Sequence, residues 1–155
     1  MLFGFGNWLV RRPPKKPRLI HLAVSSAVIR QEIEGEGIRL LYGLLDEFQQ
    51  YHFTTDSGWL KVADYVYKAF EFPKYVPARK DCDFFAILFV ALAQAYFGFN
   101  GCGLAIGPTP YDQHAFVRIR SNTGWWLWEP NPAFGIKEFF KDGDYHGYKT
   151  QVILI

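Results

Sequence analysis

The spacing of apolar positions changes roughly two thirds of the way along the chain, from a helical period to a strand period. Over residues 38–51, Leu41, Leu44, Leu45 and Phe48 recur at intervals that predict a helix. Asp56-Ser57-Gly58 reads as a turn, and residues 59–70 as a second helix with Leu60, Ala63, Val66, Tyr67 and Phe70 on one side. Pro73 and Pro77 then enforce an extended connection. A third helix is predicted over residues 82–97, apolar almost throughout, with Asp81 in the N-cap position and Gly98 as its stop.

Beyond Gly98 the period falls to two. Residues 104–106 read as a short strand and Gly107-Pro108-Thr109-Pro110 as a loop. Residues 113–120 alternate, with Ala115, Val117 and Ile119 on one face and His114, Phe116 and Arg118 on the other. Ser121-Asn122-Thr123-Gly124 is a hairpin turn, residues 125–129 its returning strand, and residues 148–154 a last strand after a helical turn near 137–140. A short strand over residues 19–26 precedes everything, and no internal repeat is present. Helices first and an antiparallel sheet afterwards predict an α+β fold, with N-terminal helices packed on a C-terminal antiparallel sheet.

Composition adds a boundary. The chain has 155 residues, half of them hydrophobic and 19% aromatic, enough for one core built largely from rings. Arg11, Arg12, Lys15, Lys16 and Arg18 are interleaved with three prolines, so residues 1–18 read as a basic, proline-rich arm and residues 19–155 as the domain. The net charge of +2 argues against a nucleic-acid partner. The apolar tip of the arm precedes the positive charges and is too short to span a bilayer, so neither a signal peptide nor a transmembrane segment is expected. A cytoplasmic location follows, or incorporation in a virion or other large assembly.

Two cysteines do not make a disulfide scaffold, and no zinc spacing occurs, so neither a metal nor a cofactor is expected. Cys82 opens the predicted apolar helix, where unpaired N–H groups and the helix dipole favour a thiolate, while Asp81 and Asp83 oppose it. His114 lies thirty-two positions on, at the start of a strand. Pairing across the hairpin sets it opposite Glu129 or Asn131, either of which can accept from one imidazole nitrogen and leave the other for the thiol. The aspartates flanking Cys82 suggest calcium, but two carboxylates are too few for a site. Trp125, Trp126 and Trp128 read as core and rim on both sheet faces, and Cys102 lies in a turn with no role.

Asp81-Cys82-Asp83-Phe84-Phe85-Ala86, then His114-Ala115-Phe116-Val117, then Gly124-Trp125-Trp126-Leu127-Trp128-Glu129 resembles the motif series of the transglutaminase-like cysteine proteinases of bacteria. The likeness covers roughly residues 59–132, and Asp64-Tyr65 is similar to an upstream pair in that family. The resemblance implies a papain/transglutaminase-like core with the nucleophile at the start of a buried helix. It implies Cys82 as nucleophile, His114 as base and Glu129 as orienting acid. Glu129 stands where the family usually carries Asp, which keeps Asn131 as a competitor, and Lys80 replaces a common glycine. Tyr65, Tyr67, Gln49 and Gln50 are candidates for the oxyanion-hole side chain. The function expected is a thiol-dependent acyl-transfer enzyme, a cysteine peptidase or amidase acting on peptide or protein. The alternative is a docking component of a larger assembly such as a phage particle, tethered by residues 1–18.

Overall fold

The computed structural model describes residues 14–41, 50–70, 72, 81–144 and 146–155. Strand β1 (Leu22–Ser25) runs directly into helix α1 (Ser26–Gly35). Ser25 is its N-cap, accepting from the Val28 N–H at 3.4 Å, and Ile29 and Ile33, one turn apart, are fully buried. No element was expected over residues 27–37, so this helix is new.

The helix expected over residues 38–51 is corrected at both ends. Strand β2 (Arg39–Leu40) pairs in parallel with the C-terminal strand, and β3 (Gln50–Phe53) pairs antiparallel with β1, burying Tyr51 and Phe53 on alternate positions. Backbone pairing with distant strands, invisible to local periodicity, decides these residues. Leu44, Leu45 and Phe48 lie outside the described residues, as do Pro73 and Pro77.

Helix α2 (Asp56–Ala69) starts earlier than expected. Thr55 caps it by accepting from the Gly58 N–H at 3.1 Å, so Asp56-Ser57-Gly58 is its first turn. Helix α3 (Cys82–Phe97) has Asp81 in the N-cap position without a side-chain cap bond, and Gly98 ends it at φ 70°. Phe85, Ala86, Phe89, Ala93 and Phe97 form its buried face.

The main sheet contains β4 (Cys102–Pro108), β5 (Gln113–Ser121), β6 (Gly124–Trp128) and β7 (Val152–Leu154), in the order β2-β7-β4-β5-β6. Among the described residues only the β2–β7 pair is parallel. Helices α2 and α3 cover the face carrying Val117, Ile119 and Trp128. Helix α1 packs with Trp125 and Ile153, and Phe116, Leu127, Phe140 and Tyr148 form a further cluster. Both faces of β5 are therefore covered, which is why Phe116 and Arg118 are buried like Val117. Arg118 is compensated by ion pairs with Glu36 and Asp142 and lies 5.2 Å over the Trp125 ring.

Two further expectations change. Residues 137–140 form no helical turn; the short 3-10 turn is Pro132–Phe134, and Phe140 instead bridges to Leu127. The expected papain/transglutaminase-like core, with helices grouped first and a purely antiparallel sheet after them, is also corrected. The N-terminal part contributes three strands, α1 stands between β1 and β2, and the sheet is mixed.

Candidate functional site

Cys82 is the first residue of α3 and half-buried, with the unpaired N–H groups of the helix start around it. A hydrogen bond from His114 holds its thiol below the ordinary thiol value, against burial. The backbone N–H groups of Ala115 and Asp83 and the imidazolium charge add to that effect. Cys102, also free, is the internal contrast. It is fully buried, burial pushes it up to about 12, and its sulfur faces the Phe99 carbonyl at 3.6 Å.

Asp81 is raised above the usual carboxylate range, chiefly by a hydrogen bond with Asp83. Asp83 also accepts from the Phe84 N–H at 2.8 Å. Among the described residues no cluster of three or more His, Cys, Asp or Glu side chains is placed to hold a metal.

His114 is the second residue of β5 and 9% exposed. Its Nε2 donates to Glu129 Oε2 at 2.7 Å, leaving Nδ1 for Cys82. Burial works against the imidazolium, but hydrogen bonds to Cys82 and Glu129, together with their charges, outweigh it and lift His114 to about 9. Cys82 and His114 thus each favour the other's charged form.

The hairpin explains why Glu129, and not Asn131, meets the histidine. The ladder runs from Ser121 opposite Gly124 to Val117 opposite Trp128, and the same register continued would set Asn131 opposite His114. Pro130 has no N–H to extend it, and the chain turns away. Asn131 Oδ1 then caps the 3-10 turn, accepting from the Ala133 N–H at 3.0 Å, while its own N–H donates to Glu129 Oε1 at 2.8 Å. Asn131 supports the acid through its backbone.

Glu129, 1% exposed, has one more donor: Tyr148 Oη at 3.1 Å from Oε2. The sequence reading placed Tyr148 merely at the start of the last strand. Its approach depends on Gly107, where a Cβ would overlap the backbone carbonyl of Lys149. With no Cβ there, Lys149 and Gln151 donate to the Pro108 and Ile106 carbonyls, both at 3.0 Å, and Tyr148 is carried beneath the acid.

Phe134 packs on His114 at 4.8 Å and Tyr111, largely exposed, on Phe134 at 6.0 Å, so an aromatic wall borders the imidazole. Beside Glu129 lies a groove of about 310 Å³ whose lining includes Ala63, Asp64, Tyr67, Trp128 and Lys137. Tyr67 Oη donates to the Pro130 carbonyl at 2.6 Å. Of the expected oxyanion-hole candidates, Tyr67 reaches this groove, and Tyr65 is packed edge-on against Phe97. Gln50 lies on β3 and Gln49 outside the described residues. Asp64 pairs with Lys68 at 2.8 Å.

No family model matches the chain, and no curated protein matches it. Solved structures do share its fold. One, described as a PSL1a-E64 complex, is 16% identical with a TM-score of 0.62, over 86% of this chain and 51% of the other. Another is Polyporus squamosus lectin bound to the human-type influenza-binding epitope Neu5Aca2-6Galb1-4GlcNAc, 15% identical with a TM-score of 0.62, over 86% and 50%. The chain thus spans about half the length of these neighbours.

These matches complete the correction of the fold and change the functional expectation. The solved neighbours include a lectin recorded with a sugar, and nothing in the comparisons supports the expected cysteine peptidase or amidase, the hydrolase and thiol-protease labels, or a phage or virion component. Those assignments are withdrawn. Among the described residues no helix is long and apolar enough to cross a membrane. Of the proposed arm, residues 1–13 lie outside the described residues, while Lys16 rests over the Phe97 ring at 5.2 Å.

Proposed function

We propose that this chain is a ligand-binding domain carrying a nucleophilic thiol, with Cys82 as the reacting atom, His114 as its proton donor and acceptor, and Glu129 as the acid that orients the imidazole. The observation that carries this is His114 held by Glu129 at 2.7 Å on one ring nitrogen and acting on Cys82, so that the thiol is lowered and the imidazole raised. The resemblance in the Asp81-Cys82, His114-Ala115 and Glu129 motifs supports these roles and is kept as a proposal of ancestry, without the acyl-transfer reaction. Two unpaired thiols, one of them set to react, suit a reducing, cytoplasmic compartment.

The test is alkylation of the folded chain by iodoacetamide near pH 6. An ordinary thiol with a pKa of about 8.5 is on the order of 0.3% ionised there. The loss in thiolate fraction on replacing His114 is partly offset by the higher nucleophilicity of a more basic sulfur. His114→Ala should therefore slow labelling of Cys82 by roughly tenfold or more, and the gap should narrow near pH 9. Equal rates in both proteins at pH 6 would remove the proposal.

A sugar ligand is the second reading, favoured by the epitope bound to the Polyporus squamosus lectin and by the groove beside Glu129. Tyr67 supplies an aromatic face there, and Asp64 and Lys137 polar groups for hydroxyls. Calorimetric titration of Cys82→Ser with that trisaccharide tests it. Binding lost in Lys137→Ala, with the fold retained, supports the groove, and no heat in either protein rejects it.

A further inference from the structure

We propose that Tyr148 is a positioning residue that tempers the Cys82–His114 pair by holding one oxygen of Glu129, an inference that rests on the nucleophilic-thiol reading. Its hydroxyl donates to Glu129 Oε2, the same oxygen that accepts from His114 Nε2. The other oxygen is taken by the Asn131 N–H. A carboxylate oxygen serving two donors gives each less of its charge than an oxygen serving one, so Tyr148 limits how far Glu129 raises the imidazolium.

Tyr148 can act only as a donor. Burial pushes its phenol well above the usual range, and the Glu129 charge pushes it further, so it keeps its proton. Its ring is 1% exposed, held edge-on by Phe116 at 5.3 Å and Phe140 at 5.0 Å, and stands edge-on to His114 at 5.8 Å. None of these ring contacts needs the hydroxyl. Tyr148→Phe therefore deletes a single hydrogen bond and leaves the packing. It also leaves Glu129 fastened by His114 and Asn131.

The groups facing this site from the elements around it are few. Cys82 comes from α3, Glu129 from the end of β6, Tyr67 from α2 and Tyr111 from the loop before β5. The charges of Tyr111 and Cys82 also act on Tyr148, and that of Glu129 on Tyr67. Asp81 and Asp83 flank the sulfur. Burial also pushes the Tyr67 phenol well above its usual range, but Tyr67 donates its proton to the Pro130 carbonyl.

The experiment is the pH titration of His114, followed by NMR of the ring proton in the full chain, beside the pH profile of Cys82 alkylation. In Tyr148→Phe the His114 midpoint should rise by roughly half a pH unit, and the alkaline change in the alkylation profile should move with it. Thermal melting of the same variant reports whether packing survives. An unchanged or lowered midpoint in a folded variant overturns the proposal. If instead the parent chain shows an ordinary histidine midpoint and an ordinary thiol profile, the nucleophilic-thiol reading itself fails. Tyr148→Leu, which removes ring and hydroxyl together, separates the two roles. A rise shared by Phe and Leu assigns the effect to the hydroxyl, and a rise in Leu alone rejects it.

Discussion

Replacing Glu129 with glutamine keeps the size of the side chain and removes its charge. The carboxylate accepts from His114 and Tyr148 on one oxygen and from Asn131 on the other. Glutamine keeps a single carbonyl oxygen, so in either orientation its amide NH₂ meets a donor. One buried donor left without an acceptor costs about 1–3 kcal/mol. The second loss is electrostatic. His114 is lifted from 6.5 to about 9 by Cys82 and Glu129 together. Assigning roughly half of that to Glu129, and discounting for partial solvent access, leaves on the order of 1–2 kcal/mol.

The two losses together amount to about 2–5 kcal/mol near pH 6. For a chain of this size that is a fall in melting temperature of roughly 6–15 °C. The pH dependence has a definite sign. Because the folded-state value of His114 is the raised one, its contribution is fully present below 6.5 and is lost as the pH rises through about 9. The stability gap between parent and Glu129→Gln, measured by urea unfolding, should shrink by about 1–2 kcal/mol between pH 6 and pH 9.5, leaving the unpaired-donor part. A gap that is constant with pH, or that widens as pH rises, would refute the assignment of Glu129 as the partner of a charged His114.

Other outcomes follow from single contacts. Gly107→Ala forces a Cβ into the Lys149 carbonyl, so it should destabilise the chain by about 3 kcal/mol or more in urea unfolding. Thr55→Ala removes the cap of α2 and should cost about 1 kcal/mol in the same assay without changing alkylation of Cys82.

The parts of the fold set by neighbours in sequence were legible, and those set by distant partners were not. Helix α3 could be read because an apolar run between Asp81 and Gly98 has one local solution. The hairpin could be read because Asn122-Thr123 turns between two alternating segments. Residues 39–40 and 50–53 went wrong because their partners, Val152–Ile153 and β1, lie far away in the chain. At the site, the hairpin narrowed the partner of His114 to Glu129 or Asn131 and could go no further. The ladder ends with Val117 opposite Trp128, and Pro130 cannot extend it, so the histidine never meets the amide. Tyr148 had no signal of its own; the nearest was Gly107, which marks a close backbone approach only once the Lys149 carbonyl is seen above it. The acyl-transfer reaction was inferred from motif likeness, and the comparisons with solved structures do not support it.

The central claim is that Cys82 exists as a thiolate paired with the His114 imidazolium. The most direct measurement is the ultraviolet absorbance of the thiolate across pH in the folded chain, taken as the difference between the parent and Cys82→Ser. Cys102, pushed up to about 12, stays silent over the range and cancels in the difference. The account predicts a thiolate signal that emerges at lower pH than in an ordinary thiol and moves back to the ordinary range in His114→Ala. A signal that emerges only near the ordinary value of about 8.5, in parent and variant alike, would contradict it.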